Sequence, residues 1–485
     1  MSFFAERCGA WGAAASERLL REVQERGLER VRVAFADLHG LQRGKTLMPA
    51  ALQGALENGV GVVSTLLLKD SSDRTAFKVF EPGALDGLPG FGHANNLVLV
   101  PDPSSFTTLP WAPGTGWLRG DLFFDDGRPV AVEPRRVLRA AVEALAGAGF
   151  GLVCGLEVEF HVYRIVDDGL DPAQADWPGE APRVQLLHPG WQLLGEAHAD
   201  RAEEALAVVQ RTAQGLGLPL RSLEIELGPS QVEAVFDPCD ALTAADRMVA
   251  FRNGVKQALR RAGYHATFVC RPPFDNVMAS GWHLHQSLVE LASGHNAFVR
   301  ERPAGRPDEA TQWLSDTGAQ WLAGLLAHAA GATALAVPTV NGYGRFRPNA
   351  MAPMAALWAR DHRGAMLRVL GGAGDAATRI ENRVGEPLAN PYLYLASQVF
   401  AGLDGLARRL VPPPAAAEVY GGHGEPLPTS LAAALDAFAA DAVLQQGLGA
   451  PLAHLYDTVK RHEIARHAVA GDALAWERRE YFARY

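Results

Sequence analysis

The sequence predicts an α+β protein with a small N-terminal domain and a large second domain of antiparallel strands and flanking helices. Short apolar strands and Pro/Gly-rich turns fill the chain to about residue 115, and from Pro134 long helices alternate with strands. The 485 residues are 48% hydrophobic and 20% charged, which allows a large core and more than one domain. Gly and Pro recur without a period, so repeat and disordered classes are excluded.

The first predicted unit, residues 1–115, is mostly β. A helix over residues 14–26 precedes a strand over 30–35, where apolar and polar residues alternate. His39-Gly40 marks a turn and residues 42–47 a returning strand, with a further strand near 95–100. These elements predict a small β domain.

The second predicted unit, residues 116–485, alternates helices and strands. The helices are expected over 135–148, 200–216, 241–262, 391–410 and 430–438, and the strands over 156–163, 220–227, 282–288 and 379–383. Residues 321–340 carry no charge and are long enough to span a bilayer, but they contain mostly small residues with Gly, His328 and Pro338. We therefore expect a buried core helix that ends at Pro338, and no membrane partner.

Charge and cysteine usage limit the partners and the compartment. The chain has 45 basic and 54 acidic residues, a net charge of −9, which argues against nucleic acid. Lys occurs five times, so 40 of the 45 basic residues are Arg, the side chain that binds phosphate and carboxylate in bidentate fashion. Four distant Cys without a CxxC pair, and Glu6-Arg7 in place of an apolar leader, predict a cytoplasmic protein.

The strand over 156–163 carries two carboxylates on one face. Period-two geometry places Glu157 and Glu159 opposite Leu156 and Val158. A half-solvated strand explains this pattern, but two adjacent carboxylates repel each other unless a cation lies between them. A second acidic segment contains Glu226 and Glu233.

In that second segment Gly228-Pro229 bends the chain, so that Glu233 can return to the side of Glu226. An acidic surface turn is an equally good interpretation of this segment alone. In the strand over 282–288, His283, His285 and Ser287 share one face, which makes a metal or phosphate site at least as plausible as structural histidines.

Arginine is concentrated near a final cluster over residues 379–383. Arg379, Glu381 and Arg383 project together from a strand, which also describes a surface ion-pair ladder. The upstream arginines are Arg345, Arg347, Arg360, Arg363 and Arg368. Taken together, the clusters supply ligands for two cations and arginines for anions, the equipment for phosphoryl transfer from a metal-bound nucleotide. No GxxxxGK[ST] segment is present, so a P-loop is excluded.

These motifs, in this order, resemble the glutamine synthetase family over nearly the whole chain. The matching segments are Asp37-Leu38-His39-Gly40, Glu157-Val158-Glu159, Gly228-Pro229-Ser230-Gln231-Val232-Glu233, Ser280-Gly281-Trp282-His283-Leu284-His285, Asn341-Gly342-Tyr343, Ala352-Pro353, residues 379–383 and Asn390-Pro391-Tyr392-Leu393. The resemblance implies an N-terminal β-grasp domain and a catalytic domain with a curved antiparallel sheet. It also implies a ring-shaped homo-oligomer, commonly a dodecamer of two stacked hexamers, with active sites between subunits.

The resemblance also implies roles for single residues. Glu159, Glu226 and Glu233 resemble the ligands of one metal, and Glu157, His283 and Glu381 those of a second, with Mg²⁺ or Mn²⁺ as the ion. His285, Ser287, Arg363, Arg368 and Arg379 resemble residues on the ATP side. Arg345 resembles the clamp on the substrate's carboxylate, and Arg383 lies near the carboxylate that is phosphorylated. The catalytic assignments are therefore Arg345, Arg363 and Arg383.

The implied activity is an ATP-dependent carboxylate–amine ligase acting on glutamate. Ammonia-using members carry a glutamate immediately before the Ala-Pro motif, and this chain has Met351, which accepts no proton. Residues 37–45, which end in Arg43-Gly44-Lys45, resemble the branch that uses amines. We therefore expect an organic amine as substrate and a γ-glutamyl amide as product.

Other departures leave alternatives open. The family's Asp-Gly-Ser-Ser element has Lys69-Asp70-Ser71-Ser72 as its nearest counterpart, and Met278-Ala279 and Pro272-Pro273-Phe274 replace other usual motifs. A true glutamine synthetase, a ligase for a different acid, and a non-catalytic family member that serves as a structural or regulatory assembly remain the rival hypotheses.

Overall fold

The fold was analysed in a computed structural model, which describes residues 4–9, 11, 13–347, 351–420 and 424–485. The strands are β1 (Arg30–Ala36), β2 (Gln42–Leu47), β3 (Val60–Val63), β4 (Asn96–Pro101), β5 (Thr107–Thr108), β6 (Thr115–Phe123), β7 (Phe150–Asp167), β8 (Arg183–Leu186), β9 (Leu220–Ile225), β10 (Gln231–Phe236), β11 (Cys239–Asp240), β12 (Tyr264–Thr267), β13 (Trp282–Glu290), β14 (Ala355–Ala356), β15 (Trp358–Arg360), β16 (Leu367–Leu370), β17 (Arg379–Asn382) and β18 (Glu425–Pro426). The helices are α1 (Phe4–Arg7), α2 (Ala13–Glu25), α3 (Pro49–Asn58), α4 (Pro134–Gly147), α5 (Glu196–Gly215), α6 (Ala241–Arg261), α7 (Asp316–Ala327), α8 (Ala329–Ala336), α9 (Pro391–Arg408), α10 (Leu431–Ala440), α11 (Ala442–Leu448), α12 (Ala450–Ala468) and α13 (Ala473–Glu477).

The N-terminal strands form one mixed sheet in the order β2-β1-β6-β4-β3, with β5 paired to β6. The predicted hairpin is present, since β1 and β2 pair antiparallel around the His39-Gly40 turn, whereas β1 and β6 are parallel. Strand β6 lies beyond the predicted boundary at residue 115. A division into 1–115 and 116–485 stays a prediction, and the sheet topology favours a boundary after Phe123.

The larger sheet has the order β15-β16-β17-β13-β7-β10-β9, and β8, β11 and β12 also pair with β7. Strand β7 is 18 residues long and exchanges neighbours along its length: β13 pairs with residues 150–158 and β12 with 161–164. The pairings in this sheet are antiparallel except for β15 with β16 among the described strands. This confirms the predicted α+β class with an antiparallel catalytic sheet and flanking helices.

The inner face of β7 lies in the core. Leu156, Val158, Phe160 and Val162 are at most 3% exposed. The Phe160 ring stacks on Phe268 at 4.9 Å, which fixes this face against the interior of the domain. Each fully buried side chain of this size contributes about 1.5–3 kcal/mol. The opposite face of the strand is therefore the one left for chemistry.

The uncharged stretch over 321–340 is confirmed as core, but it does not form one helix. Helices α7 and α8 are separated at His328, whose backbone leaves the helical region, and α8 ends at Ala336, two residues before Pro338. His328 contacts Asp441 and Asp404, at 2.8 and 3.0 Å, from two other helical segments. Among the described residues, no helix has the length and apolar character to cross a bilayer.

Candidate active site

Neighbouring strands of the larger sheet bring the acidic and histidine residues to one face. The register joins three cross-strand pairs: Glu381 with His285, His283 with Glu157, and Glu159 with Glu233. Directly opposed residues have Cβ atoms about 5 Å apart and share a face of the sheet. The four strands β17, β13, β7 and β10 therefore assemble polar side chains that are far apart in sequence.

One cluster is made of Glu159, Glu226 and Glu233, whose ligand oxygens lie within 4.8 Å of one another. The predicted return of the chain after Gly228-Pro229 is present, because β9 and β10 pair across this turn. Burial, together with the neighbouring carboxylates, raises the pKa of Glu159 to about 8 and that of Glu233 to about 10. Carboxylate oxygens at this spacing suit Mg²⁺ or Mn²⁺, which would offset the repulsion.

A second cluster surrounds Glu157. Its Oε1 lies 2.7 Å from His283 Nδ1 and its Oε2 lies 3.1 Å from His285 Nε2, while Glu381 Oε1 is 3.9 Å from His283 Nδ1. Burial opposes ionisation of Glu157, but the two histidine contacts outweigh it and hold the pKa of this carboxyl well below its usual range. Burial lowers the pKa of His283, which favours the neutral imidazole that binds metals. This mixed oxygen and nitrogen set also fits a divalent cation.

Glu381 is completely buried between two arginines. Arg368 Nη1 donates to its Oε2 at 3.1 Å, and Arg383 donates to its Oε1. Burial opposes ionisation, but Arg383 and the histidines outweigh it and lower the pKa of Glu381. Arg379 shares this face of the strand, as predicted, but its Nε donates to His285 Nδ1 at 3.0 Å instead of to Glu381.

Arg345 and Arg363, two other arginines predicted to act in the site, differ in burial. Arg345 is 4% exposed, and its guanidinium donates to the carbonyls of Arg383, Val384 and Gly385 at 2.8–2.9 Å. It therefore supports the chain after β17, and its part in clamping a substrate carboxylate stays a prediction. Arg363 is exposed in the turn between β15 and β16 and forms no described contact with the two clusters. Its part in phosphate binding likewise stays a prediction.

A cavity of about 660 Å³ opens beside the second cluster, a size within the range of nucleotide pockets. Its walls include Glu157, His285, Ser287 and Arg379, so three of the residues predicted on the ATP side share one space with a predicted metal ligand. The predicted Arg363 and Arg368 are absent from the described lining. The sequence does not indicate this cavity.

Gly281 and Gln231 lie within the sequence motifs but receive no role from the sequence alone, and in the structure both contact Glu159. The Gly281 N–H donates to Glu159 Oε2 at 2.8 Å. A Cβ at Gly281 would lie 2.7 Å from Arg345 Nη2 and 3.1 Å from His283 Nε2, so only glycine fits. Gln231 also donates to Glu159. Their positions in the motifs could have indicated a supporting role, because Gly281 lies close to the predicted ligand His283 and Gln231 lies close to the predicted ligand Glu233.

The residues of the predicted amine side lie on loops. Met351 is 50% exposed and has a φ of 54°, directly after residues 348–350, which lie outside the described part of the chain. Asp70, Ser71 and Ser72 are at most 2% exposed, and Arg466 binds Asp70 and Ser72. The Lys69-Asp70-Ser71-Ser72 segment is thus buried by its own chain, which argues against its equivalence to the family's Asp-Gly-Ser-Ser element.

A curved antiparallel sheet with two carboxylate-rich clusters, buried arginines and an adjacent cavity defines a class of metal-dependent enzymes for anionic substrates. The chain belongs to the glutamine synthetase family: residues 131–481 match the model described as glutamine synthetase, catalytic domain. It is therefore a ligase that acts on small molecules, and enzymes of this family use ATP and divalent metals.

Relatives of known activity and structure cover almost the whole chain. The chain is 39% identical to a γ-glutamylanilide synthase of Acinetobacter sp, over 96% of this chain and 95% of that protein. It is 30% identical to the γ-glutamylethanolamide synthetase GlnA4 of Streptomyces coelicolor, over 94% and 93%. A solved GmaS/ADP complex superposes with a TM-score of 0.75 at 30% identity, covering 95% of this chain and 98% of that one.

Proposed function

We propose that this ligase phosphorylates the γ-carboxylate of glutamate with ATP and joins the acyl phosphate to an organic amine, which gives a γ-glutamyl amide. The observation that carries the proposal is the convergence of carboxylate and histidine ligand atoms around Glu157 and Glu159, combined with Met351 in place of the glutamate before Ala352-Pro353. The relatives named for γ-glutamylanilide and γ-glutamylethanolamide support the same product class.

Two cations fit the donor sets of the site. Glu159, Glu226 and Glu233 would hold one, because three buried or half-buried carboxylates with raised pKa values need a neutralising charge. Glu157, His283 and Glu381 would hold the other; in the structure the ligand atoms of Glu157 lie within 4.8 Å of those of His285 and Glu381 in one group and of His283 and Glu233 in another. Bound Mg²⁺ or Mn²⁺ supplies Lewis-acid stabilisation of the phosphate oxygens.

The cavity beside Glu157 is the proposed nucleotide site. His285, Ser287 and Arg379 line it and offer ring nitrogen, hydroxyl and guanidinium groups to phosphate oxygens. Arg368 donates to the metal-ligand candidate Glu381, and we propose that Arg368 and the exposed Arg363 also contact the nucleotide phosphates. The solved relative with bound ADP supports nucleotide binding in this fold.

The reaction needs two displacements that these residues orient. A glutamate γ-carboxylate oxygen attacks the γ-phosphorus of ATP and ADP leaves; the amine nitrogen then attacks the acyl carbon, and phosphate and a proton leave. Arg383 is 5% exposed beside Glu381, where it can stabilise negative charge that develops on the transferred group. Arg345 fixes the Arg383 backbone and retains further N–H groups for the substrate's carboxylate.

The amine preference follows from proton chemistry. Ammonia is mostly protonated at neutral pH, so a site that uses it needs a group that binds the cation and accepts a proton. The Met351 thioether does neither and favours apolar contacts. An organic amine with carbon next to nitrogen suits this position, and an aromatic amine arrives neutral, so no base is needed before it attacks; the proton that it releases on amide formation passes to solvent or to the departing phosphate.

The test is phosphate release from ATP with Mg²⁺, glutamate and a panel of aniline, ethanolamine, an alkyl amine, a polyamine and ammonia. We expect the highest kcat/KM with an organic amine, and best turnover with ammonia would refute the proposal. Replacing glutamate with other acids in the same assay tests the acid. No turnover with any pair, together with no metal-dependent ATP binding, would favour a non-catalytic assembly.

A Met351→Glu variant sharpens the same test. It restores a carboxylate at the loop position, so we expect the ratio of kcat/KM for ammonia to that for the organic amine to rise at least about tenfold. Met351→Gln has the same size without the charge and serves as the matched control. An equal rise in both variants would show that charge at this position does not select the amine.

We further propose that the chain works in the cytoplasm as a ring-shaped homo-oligomer, a dodecamer of two stacked hexamers with active sites between subunits. Large apolar side chains left exposed by the single chain, such as Leu194 at 63% and Trp191 at 54%, support burial in an assembly. Light scattering of the purified protein tests it, and a monomeric mass with full activity would exclude the shared site.

A further inference from the structure

Gln231 occupies a buried position at the junction of the carboxylate cluster Glu159–Glu226–Glu233. It is the first residue of β10, directly after the Gly228-Pro229-Ser230 turn, and is 1% exposed. A buried primary amide is retained only if its donors and acceptor are satisfied, since unmade hydrogen bonds in the interior cost free energy. The partners of Gln231 therefore indicate what the residue does.

The amide oxygen holds the turn between the strands that carry Glu226 and Glu233. Gln231 Oε1 accepts the Gly228 N–H at 2.9 Å, and the Gln231 carbonyl accepts the Glu226 N–H at 3.0 Å. A Cβ on Gly228 would lie 2.6 Å from Gln231 Oε1, so the contact also requires glycine in the turn. One residue thus fixes the path from Glu226 to Glu233.

The amide nitrogen holds the third carboxylate. Gln231 Nε2 donates to Glu159 Oε2 at 3.2 Å and to Ser280 Oγ at 3.1 Å, and the Gly281 N–H donates to the same Glu159 oxygen. In the described part of the chain Glu159 Oε1 accepts no hydrogen bond. The contacts therefore orient the carboxylate with one oxygen held by the protein and the other directed for coordination.

His161 supports this arrangement through Ser280. Ser280 Oγ lies 3.3 Å from His161 Nδ1, and His161 is completely buried. The amide orientation is determined by chemistry, because only the NH₂ group can donate to a carboxylate while the oxygen accepts the Gly228 N–H. Gln231 is the residue on which the turn, Glu159 and Ser280 converge.

We infer that Gln231 is a positioning residue for the metal bound by Glu159, Glu226 and Glu233. It holds Glu159 and the turn between Glu226 and Glu233, so that the three carboxylates would present their oxygens to one cation. The inference deepens the proposed function, because it rests on a cation at this cluster. Loss of such a supporting hydrogen bond lowers metal affinity by roughly 10–100-fold.

The experiment measures Mn²⁺ directly by the electron paramagnetic resonance signal of free Mn²⁺ in titrations of the purified full chain, without nucleotide, glutamate or amine. Gln231→Met keeps side-chain length and removes every side-chain hydrogen bond, and Gln231→Leu removes the same bonds with a shorter side chain. We expect both variants to bind Mn²⁺ roughly 10–100-fold more weakly than the wild type. Excess Mn²⁺ is expected to restore kcat in Gln231→Met, because the substitution raises only the Mn²⁺ concentration that is needed for activity.

Gln398→Met is the matched control, because Gln398 is also 1% exposed and its amide bonds to Gln286 and Asn382 on the helix side of the sheet. It is expected to lose thermal stability while keeping its Mn²⁺ affinity. Wild-type affinity in folded Gln231→Met and Gln231→Leu would overturn the inference, as would an equal loss in Gln398→Met. Absence of Mn²⁺ binding by the wild type would instead overturn the two-metal site of the proposed function.

Discussion

Glu159→Gln is expected to stabilise the protein when divalent metal is removed by a chelator. Glu159 is an acid whose folded-state pKa is raised from 4.5 to about 8 by burial and by Glu226. Between these values the unfolded chain is ionised and the folded chain holds a proton. The folded state thus binds more protons, and its stability falls as the pH rises from about 4.5 to 8.

The magnitude follows from the same shift. Each pKa unit corresponds to about 1.4 kcal/mol, so at pH 7 the raised pKa of Glu159 costs roughly 3 kcal/mol. Glutamine has nearly the same size, keeps an oxygen for the Gly281 N–H and carries no charge. We expect the chelated variant to melt about 3 °C above the chelated wild type at pH 7. The difference should shrink toward pH 5.

The assay is thermal unfolding with a chelator and with excess Mn²⁺ at several pH values. Added Mn²⁺ should raise the wild-type midpoint more than that of Glu159→Gln, because the variant has lost a ligand. A matched control is Glu480→Gln, where Arg466 holds the pKa of a buried carboxyl below its usual range against the effect of burial. This variant should be destabilised. A chelated Glu159→Gln that melts below the wild type at pH 7 would refute the reasoning.

Two further predictions concern packing and a histidine outside the site. Gly281→Ala places a Cβ 2.7 Å from Arg345 Nη2, and we expect turnover to fall at least about tenfold while the chain stays folded; activity within about twofold of the wild type would contradict it. Burial lowers the pKa of His328, but hydrogen bonds to Asp441 and Asp404 outweigh this effect, so that the pKa is raised. Protonated His328 contributes its full stabilisation below about pH 6.5, and this contribution is lost as the pH rises through the folded-state pKa. The difference in melting temperature between the wild type and His328→Gln should therefore narrow as the pH rises through that folded-state pKa. A constant difference across pH would count against this.

Much of the site could be predicted because strand period and chain order are local properties. Period two separated Glu157 and Glu159 from Leu156 and Val158, and the structure has the apolar pair in the core. The bend at Gly228-Pro229 is likewise a local property of those two residues. Sequence reasoning therefore indicated which side chains share a face.

The remainder depended on contacts between distant segments. The break between α7 and α8 lies at His328, whose partners Asp404 and Asp441 are 76 and 113 residues away. Arg345 was predicted to clamp a carboxylate, but part of its guanidinium is used by backbone carbonyls 38–40 residues further on. No local pattern specifies which of several acceptors an arginine reaches.

The proposed metal ligands and the proposed amine side differ in how they are held, and this difference predicts that they can be changed separately. Glu157, Glu159 and Glu233 lie on central strands, where ladder hydrogen bonds and cross-strand register determine their spacing. Met351 lies outside the described strands at a positive φ and is half exposed. Met351→Glu should therefore keep the wild-type Mn²⁺ affinity within about twofold, since it moves no supporting hydrogen bond of the ligands. Mn²⁺ titration of that variant decides the point: a large change in affinity would mean that the loop and the metal clusters are coupled, and that amine choice cannot be altered without altering the metal site.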